Sequence, residues 1–357
     1  MQERFDVTLN PARIVFGDGA LDRIPECLDT LGCKSALVLS TPNQESQARQ
    51  LLDQLGPLGA GLYAKAAMHT PVDVTEDALQ VFAGCRADCT LAIGGGSTTG
   101  LGKALALRTD CPQITVPTTY AGSEVTPILG QTENGVKTTI SSPKVLPEIV
   151  IYDPLLTHGL PVPMTVTSAL NALAHAAEAL YAQNRNPIAT LMAGEGARAL
   201  IEALPAIIED PGNADGRRKA LYGAWLCGTV LSSVGMALHH KLCHTLGGAF
   251  DLPHAETHAI VLPHALAFNE VAVPDLLKPL AEALSSEAAG SGLHTYAKAL
   301  AAPMALKEIG MPEDGIDRAA DLATQNPYWN PRPFDRDQIR TLIENAFHGR
   351  APERIVL

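Results

Sequence analysis

Five of the chain's 11 histidines fall between positions 239 and 258, in the run HHKLCHTLGGAFDLPHAETH. His240 and His244 are four apart, so on a helix they share a face. His254 follows directly after Pro253, at a position read as loop. Upstream, Asn171 and His175 are also four apart, in SALNALAHAAEALY. Imidazoles can donate a hydrogen bond, pass a proton near neutral pH or ligate a divalent metal. One histidine on an apolar helix face is usually a satisfied core residue. Four or five in this arrangement mark a candidate reaction centre made of His175, His240, His244 and His254.

A second kind of chemistry is written in glycines. Gly94-Gly95-Gly96-Ser97-Thr98-Thr99 follows the apolar run Thr90–Ile93 and precedes a helical stretch through Gly102-Lys103. Glycines let backbone N–H groups approach a phosphate, and the helix start adds a favourable dipole. The spacing is neither the Rossmann G-x-G-x-x-G nor a Walker loop. Another loop, Pro117-Thr118-Thr119-Tyr120-Ala121-Gly122-Ser123, also follows a strand-like run and offers hydroxyls at Thr118, Thr119 and Ser123. Two such loops at neighbouring strand ends point to dinucleotide binding; a tight strand–helix turn is the plainer alternative for the first.

These groups need a scaffold. Through about residue 155 the chain alternates short Val/Ile/Leu-rich runs (Arg13–Phe16, Ser35–Leu39, Thr90–Ile93, Ile114–Val116, Glu148–Tyr152) with stretches of helical periodicity at Glu45–Leu55 and Val74–Ala83. That alternation predicts an α/β domain with a parallel sheet and ligands at the carboxyl ends of its strands. Asn134-Gly135, between Ile128-Leu129 and Thr138–Ile140, reads as a hairpin turn. From 156 to 357 the texture is helical: Val166–Gln183, Ile188–Ile208, Arg217–Leu246, Pro274–Ala288 and Leu293–Ile309, punctuated by Pro and Gly. The expected organisation is an α/β dinucleotide-binding domain (1–155) and an α-helical catalytic domain (156–357), with the ligand in a cleft between them.

Composition narrows the function classes. The 357 residues are 46% hydrophobic and 18% charged, which excludes a disordered chain. The net charge of −12 is shared equally either side of Asp153, so no basic half exists to neutralise nucleic-acid phosphates. Seven scattered cysteines form neither a disulfide framework nor a C-x-x-C motif. Met1–Asn10 has no apolar core, and the uncharged stretch Ala220–Leu238 is diluted by glycine and serine. A cytoplasmic protein with no membrane partner is expected.

The segments NPARIVFGDGAL, AIGGGSTTGLGKALAL, VPTTYAGSEVTPI, YDPLLTHGLP, NALAHAAEALYA and LCHTLGGAFDLPHAETHAIVLPHAL together resemble the iron-containing, or group III, alcohol dehydrogenases along nearly the whole chain. The resemblance implies an N-terminal Rossmann-like nucleotide-binding domain, a C-terminal all-α domain (the dehydroquinate synthase-like architecture) and hydride transfer. It also implies a divalent metal held by an Asp, a His four residues later and two further His fourteen apart. His175, His240 and His254 match three of those ligands; the Asp position is Asn171. A neutral amide is a weaker ligand than a carboxylate. No tightly bound metal is therefore expected, and if one binds, Asn171 replaces the family Asp.

Within the family, that departure, MHTPVDVTEDAL (Met68–Leu79), HHKLCHTLGG and the late NPRP (Asn330–Pro333) resemble the branch that reduces maleylacetate to 3-oxoadipate in aromatic and chloroaromatic breakdown. The implied partner is a small dicarboxylate. His69, Asn171, Lys241 and Arg332 are candidates to bind it, with surface solvation or fold-supporting ion pairs as the alternative for Lys241 and Arg332. Cofactor candidates are Ser40, Thr41, Gly94, Gly95, Gly96, Ser97, Thr98, Thr118, Thr119, Ser123 and Lys137, the last matching a family lysine near the cofactor ribose. Neither a carboxylate nor an arginine follows Leu39, so NADH, NADPH or both are expected. A homodimer is the family expectation. The competing readings are a metal-dependent alcohol or polyol dehydrogenase, a lyase of the same broad fold, and a dinucleotide sensor without turnover.

Overall fold

The computed structural model describes residues 5, 7, 12–133 and 135–353. The chain divides into two compact units, Leu9–Leu160 and a helical one that begins at Pro161. The first runs β1 (Arg13–Phe16), α1 (Ile24–Leu31), β2 (Ala36–Leu39), α2 (Glu45–Leu55), β3 (Gly59–Tyr63), α3 (Val72–Gly84), β4 (Cys89–Gly94), α4 (Gly96–Thr109), β5 (Gln113–Pro117), β6 (Ile128–Glu133), β7 (Val136–Ser141) and β8 (Ile149–Tyr152). Six strands form one parallel sheet in the order β1-β8-β5-β4-β2-β3. Its central strands are buried throughout, which is why they read as unbroken apolar runs rather than alternating ones. β6 and β7 pair as a separate antiparallel hairpin. Gly135 in its turn has φ +76°, a conformation glycine adopts freely, and Asn134 lies outside the described residues.

Strand order decides which loops meet. β5, β4 and β2 are neighbours, and Gly94 pairs in register with Pro117. The loops after Leu39, Gly94 and Pro117 therefore emerge side by side at the carboxyl edge.

The second unit runs α5 (Val162–Tyr181), α6 (Pro187–Glu209), α7 (Ala214–Ser233), α8 (Leu238–Phe250), α9 (His254–Glu270), α10 (Pro274–Ala283), α11 (Ala289–Ala299), α12 (Gly315–Thr324) and α13 (Arg336–His348). Asn186, Asn213 and Asp335 cap α6, α7 and α13 through their side chains, the last with Gln338 as a capping box. Leu242, Leu246, Ile260, Phe268, Ile339 and Phe347 sit in one core shared by α8, α9 and α13.

Two expectations are corrected. Arg217–Leu246 is not one helix but two, bent by 94° at a break after Ser233. The hydroxyls of Ser232 and Ser233 turn back onto Thr229 O, and Asn184 Oδ1 captures the Gly235 amide at 2.8 Å, so the backbone leaves the helix there. His254 is not in a loop: it opens α9, with Pro253 at the cap position. No single helix among the described residues is long and apolar enough to cross a membrane.

Candidate active site

The histidine-rich site is built on α5, α8 and α9. α8 begins without a capping side chain, since its cap residue is Ala237. Helix-start amides need acceptors, and here Glu178 of α5 supplies them: its carboxylate accepts from Ala237 N and His239 N, each at 2.8 Å. The same carboxylate accepts from His240 Nδ1 at 2.7 Å, and Tyr181 donates its hydroxyl to it at 3.3 Å. Burial works to raise the Glu178 pKa. His240 and the two amides outweigh burial and hold it below the usual carboxylate range. A buried carboxylate thus stays ionised.

On its other nitrogen, Nε2, His240 lies 3.0 Å from His175 Nδ1. Both rings are buried. His258 completes the cluster from α9: its ring centre is 5.1 Å from that of His240, 4.3 Å from His254 and 6.3 Å from His175. His258 Nδ1 also meets His239 Nε2 at 2.9 Å, and these two with Cys243 bring three donor atoms within 4.8 Å. Burial, reinforced by neighbouring imidazoles, pushes His239 and His258 well below the ordinary histidine value, so both are neutral. Burial raises the Cys243 thiol well above its usual range. His244 is exposed, 6.1 Å from the His240 ring, with Nδ1 at 3.0 Å from Tyr328 Oη. His254 is exposed as well.

Of the substrate candidates, Asn171 is in the cluster, one turn before His175, with its Oδ1 buried and without a hydrogen-bond partner. Lys241 points away from His240: its Nζ donates to Gln325 O at 2.8 Å and lies 5.9 Å over the Tyr328 ring. Arg332 is committed to the fold. It is 3% exposed, stacks 4.0 Å over Phe268 and donates to Phe268 O at 2.8 Å. Beside it, Asn330 pairs reciprocally with Asn269 at 2.7 and 2.9 Å. The NPRP loop is therefore a clasp on α9, and Arg332 takes part in it through the Phe268 ring and carbonyl. His69 lies in the first unit with φ +63°, followed by Thr70 at +46°. Two consecutive left-handed non-glycine residues are a strained loop of the kind found at ligand sites; Thr70 packs it against Gly100 of α4.

The nucleotide candidates gather at the carboxyl edge of the first unit's sheet. Gly94 has φ +152°, and a Cβ there would land on Thr98 Oγ1. A Cβ added to Gly95 would come within 2.9 Å of Thr119, whereas a Cβ on Gly96 would meet open space. Thr98 N and Thr99 N both return to Gly95 O, which leaves the Gly96 and Ser97 amides at the exposed start of α4. Thr118 is held by Gln44 Nε2 at 2.9 Å, and Gln44 also meets Thr41. Ser40 is fully buried and Thr98 Oγ1 is covered, so both support the loop rather than present hydroxyls at its surface. Lys137 lies on β7, and its side chain is outside the described residues.

Lys103, the loop's unforeseen organiser, is fully buried on α4. Its Nζ donates to Ser123 O at 2.6 Å and to Thr126 O and Ile128 O at 2.8 Å. Burial pushes it down to about 7, against the opposing charge of Glu124. Ser123 thus contributes its carbonyl to the loop's architecture. The glycine-lined helix start and the neighbouring strand ends fit a dinucleotide.

A divalent metal fits less well. Three imidazoles are available, but His240 Nε2 is spent on His175 and the fourth donor is a neutral amide. Asn171 Oδ1 and His258 Nε2 are buried without a hydrogen-bond partner, and a cation would satisfy either. The site falls one carboxylate short of the family donor set, and no step is assigned to a metal.

Comparison with known proteins agrees with this architecture. The iron-containing alcohol dehydrogenase family model matches residues 11–154, and the C-terminal model of the Fe-containing alcohol dehydrogenase family matches 165–347. A maleylacetate reductase of Rhizobium sp. is 60% identical, covering 98% of this chain and 99% of its own length. One from Burkholderia cepacia is 52% identical over 95% of this chain and 97% of its own. The crystal structure of a maleylacetate reductase from Agrobacterium tumefaciens, 58% identical, superposes with a TM-score of 0.95 over 98% of this chain and all of that one. The chain belongs to the iron-containing alcohol dehydrogenase family.

Proposed function

We propose that this chain is an NAD(P)H-dependent oxidoreductase that reduces the carbon–carbon double bond of maleylacetate to give 3-oxoadipate, working without a tightly bound metal. The observation that carries the reading is identity of 60% with a maleylacetate reductase over essentially the full length of both chains. It is supported by a site that keeps its imidazoles while an amide, Asn171, stands where the family carries a carboxylate.

The chemistry accounts for that exchange. Reducing an unactivated carbonyl puts charge on an alkoxide, where a Lewis acid is valuable. In maleylacetate the double bond is conjugated to a ketone, so hydride addition puts charge on an enolate, which hydrogen-bond donors can hold. A positioned donor is worth roughly 3–4 kcal/mol in such a role. NAD(P)H, when bound, supplies the hydride. The Gly96 and Ser97 amides at the start of α4 would hold its pyrophosphate, and the Thr118–Ser123 loop would flank it. In the second unit one imidazole of the His175, His240, His244 and His254 set donates to the ketone oxygen. Another delivers a proton to the carbon next to the ketone, giving one hydride and one proton per product. NADH is the expected coenzyme, with NADPH accepted because no carboxylate follows Leu39 to repel a 2′-phosphate. A homodimer working in the cytoplasm, where its seven free cysteines stay reduced, completes the proposal.

The test is loss of NADH absorbance with maleylacetate after EDTA treatment, with added Zn²⁺ or Fe²⁺ in parallel. Full activity in chelator supports both substrate and metal-free mechanism. Activity only with metal keeps the substrate and makes Asn171 Oδ1 a ligand, the role that its unpartnered state favours. No reduction in either, with alcohol oxidation in the metal sample, establishes the metal-dependent dehydrogenase instead.

A further inference from the structure

We propose that Gln44 is the selectivity residue of the nucleotide site: its carboxamide ties the strand-end loops of the first unit together and keeps the ribose end of the site uncharged, so that either coenzyme fits. This rests on the NAD(P)H reading and names the side chain that discriminates within it.

The local sequence aims this side chain at the sheet. β2 ends at Leu39, Ser40 is fully buried, and Thr41-Pro42-Asn43-Gln44 forms a turn closed by Gln44 N donating to Thr41 O at 3.1 Å. Proline fixes the backbone at the second position of that turn, and α2 starts from Gln44. A polar side chain at a helix cap usually turns onto the backbone of its own helix. Gln44 makes no such bond. It reaches 74 residues along the chain instead: Nε2 donates to Thr118 Oγ1 at 2.9 Å, while Oε1 accepts from Thr41 Oγ1 at 3.4 Å. Thr118 N in turn donates to Gly94 O at 3.0 Å. A Cβ added to Gly94 would come within 2.8 Å of Gln44 Oε1, so the carboxamide lies across the glycine loop itself. The loops after β2, β4 and β5 thus meet at one partly buried side chain.

What an amide supplies at this point is a donor and an acceptor with no net charge. The charge matters because of what such a loop binds. In dinucleotide-binding sheets, the side chain just past a strand near the glycine loop meets the adenine ribose. A carboxylate there holds the 2′-hydroxyl and repels a 2′-phosphate. Of the two neighbours of β4, β5 leads into the loop that Lys103 clamps. β2 opens into the Thr41–Gln44 turn, which is the place left for the ribose. No residue of Ser40–Gln44 is charged, and Glu45, the first carboxylate after them, is paired with Arg49 at 2.6 Å. The turn therefore offers a 2′-phosphate nothing to repel it.

Two substitutions separate charge from bridging. Gln44→Glu is close to isosteric and keeps the bridge, since the hydroxyls of Thr41 and Thr118 can both turn to donate to a carboxylate. Gln44→Lys places the opposite charge at the same point. A phosphate monoester carries about 1.5–2 negative charges near neutral pH, so the two variants should move NADPH in opposite directions.

The experiment titrates wild type, Gln44→Glu and Gln44→Lys with NADH and NADPH by coenzyme fluorescence. Calorimetry with AMP and adenosine 2′,5′-bisphosphate repeats it on the ribose end alone, and thermal unfolding checks that each variant folds. In Gln44→Glu the Kd for NADPH should rise by about 10-fold or more, with that for NADH changed by less than about 3-fold. In Gln44→Lys the preference should shift toward NADPH by a similar factor, and the two fragments should follow the same pattern. A purely structural bridge would weaken both coenzymes alike in both variants, so the reversal of sign is the signature of the role. If Gln44→Glu fails to fold, the shift in Gln44→Lys decides alone. A ratio of NADPH to NADH affinity left unchanged by both substitutions, or moved the same way by both, would overturn the proposal. A wild type that binds neither coenzyme would overturn the dinucleotide reading and this role with it. Coenzyme binding without action on maleylacetate would refute the substrate reading and leave the role of Gln44 standing.

Discussion

Asn171→Asp tests why the site lacks a carboxylate. Asn171 is 4% exposed, its Oδ1 has no hydrogen-bond partner and its nearest titratable companion along the helix is His175, already tied to His240. A carboxylate here is buried among imidazoles with no metal cation beside it. Leaving a charge buried and uncompensated costs about 3–5 kcal/mol. At about 2–4 °C per kcal/mol for a unit of this size, Tm should fall by about 6–20 °C in EDTA at mildly alkaline pH. Zn²⁺ or Fe²⁺ should recover most of that loss, because the introduced carboxylate would complete the family donor set with His175, His240 and His254. The assay is thermal unfolding of both proteins in EDTA and in metal, with metal content measured after dialysis. Maleylacetate reduction by the metal-loaded variant should fall, since the metal would occupy nitrogens needed as donors. Unchanged Tm in EDTA together with unchanged metal content would refute this account of Asn171.

Three further outcomes follow from the geometry. His240→Ala and His244→Ala should each lower kcat by about 100-fold or more, as expected for a lost proton or hydrogen-bond donor; normal turnover in both would remove the cluster from the reaction. Gly96→Ala should leave Tm unchanged, because its Cβ meets nothing in the free protein, yet raise the KM for NADH by about 10-fold by intruding where the pyrophosphate would sit. Gly94→Ala, whose Cβ meets Thr98 and whose φ is +152°, should lower Tm, and equal behaviour of the two variants would count against the loop assignment. Lys103 is pushed down to about 7 by burial, while an unfolded chain keeps that proton to about 10.4. Between these values the unfolded state binds more protons, so Lys103 makes stability rise with pH across that window. Lys103→Met should remove this component and lower stability by a few kcal/mol, about 1–3 for each carbonyl left without its donor. Denaturant unfolding at mildly acidic and alkaline pH would check it, an unaltered slope being the adverse result.

What the sequence could reveal depended on whether a signal was local. Arg13–Phe16 and Glu45–Leu55 match their elements end to end, because apolar runs and helical periodicity record burial directly. β3 escaped notice because Gly59-Ala60-Gly61-Leu62-Tyr63 lacks the β-branched residues that mark a strand, and pairing with β2 supplies what propensity does not. α12 and α13 were also not anticipated. The break between α7 and α8 was hidden in an alanine- and leucine-rich run. What ends the helix there is a distant side chain, Asn184, together with two serines. The site divides the same way. His175 and His240 were identifiable from type and spacing alone. Their partner Glu178 was not, although it stands three residues beyond His175: an acidic residue in a helix is normally solvated, and only the fold reveals that this one is buried beneath α8. Arg332 shows the opposite case. Its charge near an aromatic loop looked like a ligand for a dicarboxylate, yet the ring of Phe268 and a backbone carbonyl claim it. A charged residue's type announces that it needs a partner; which partner it takes, substrate or fold, is decided by packing that the linear sequence does not carry.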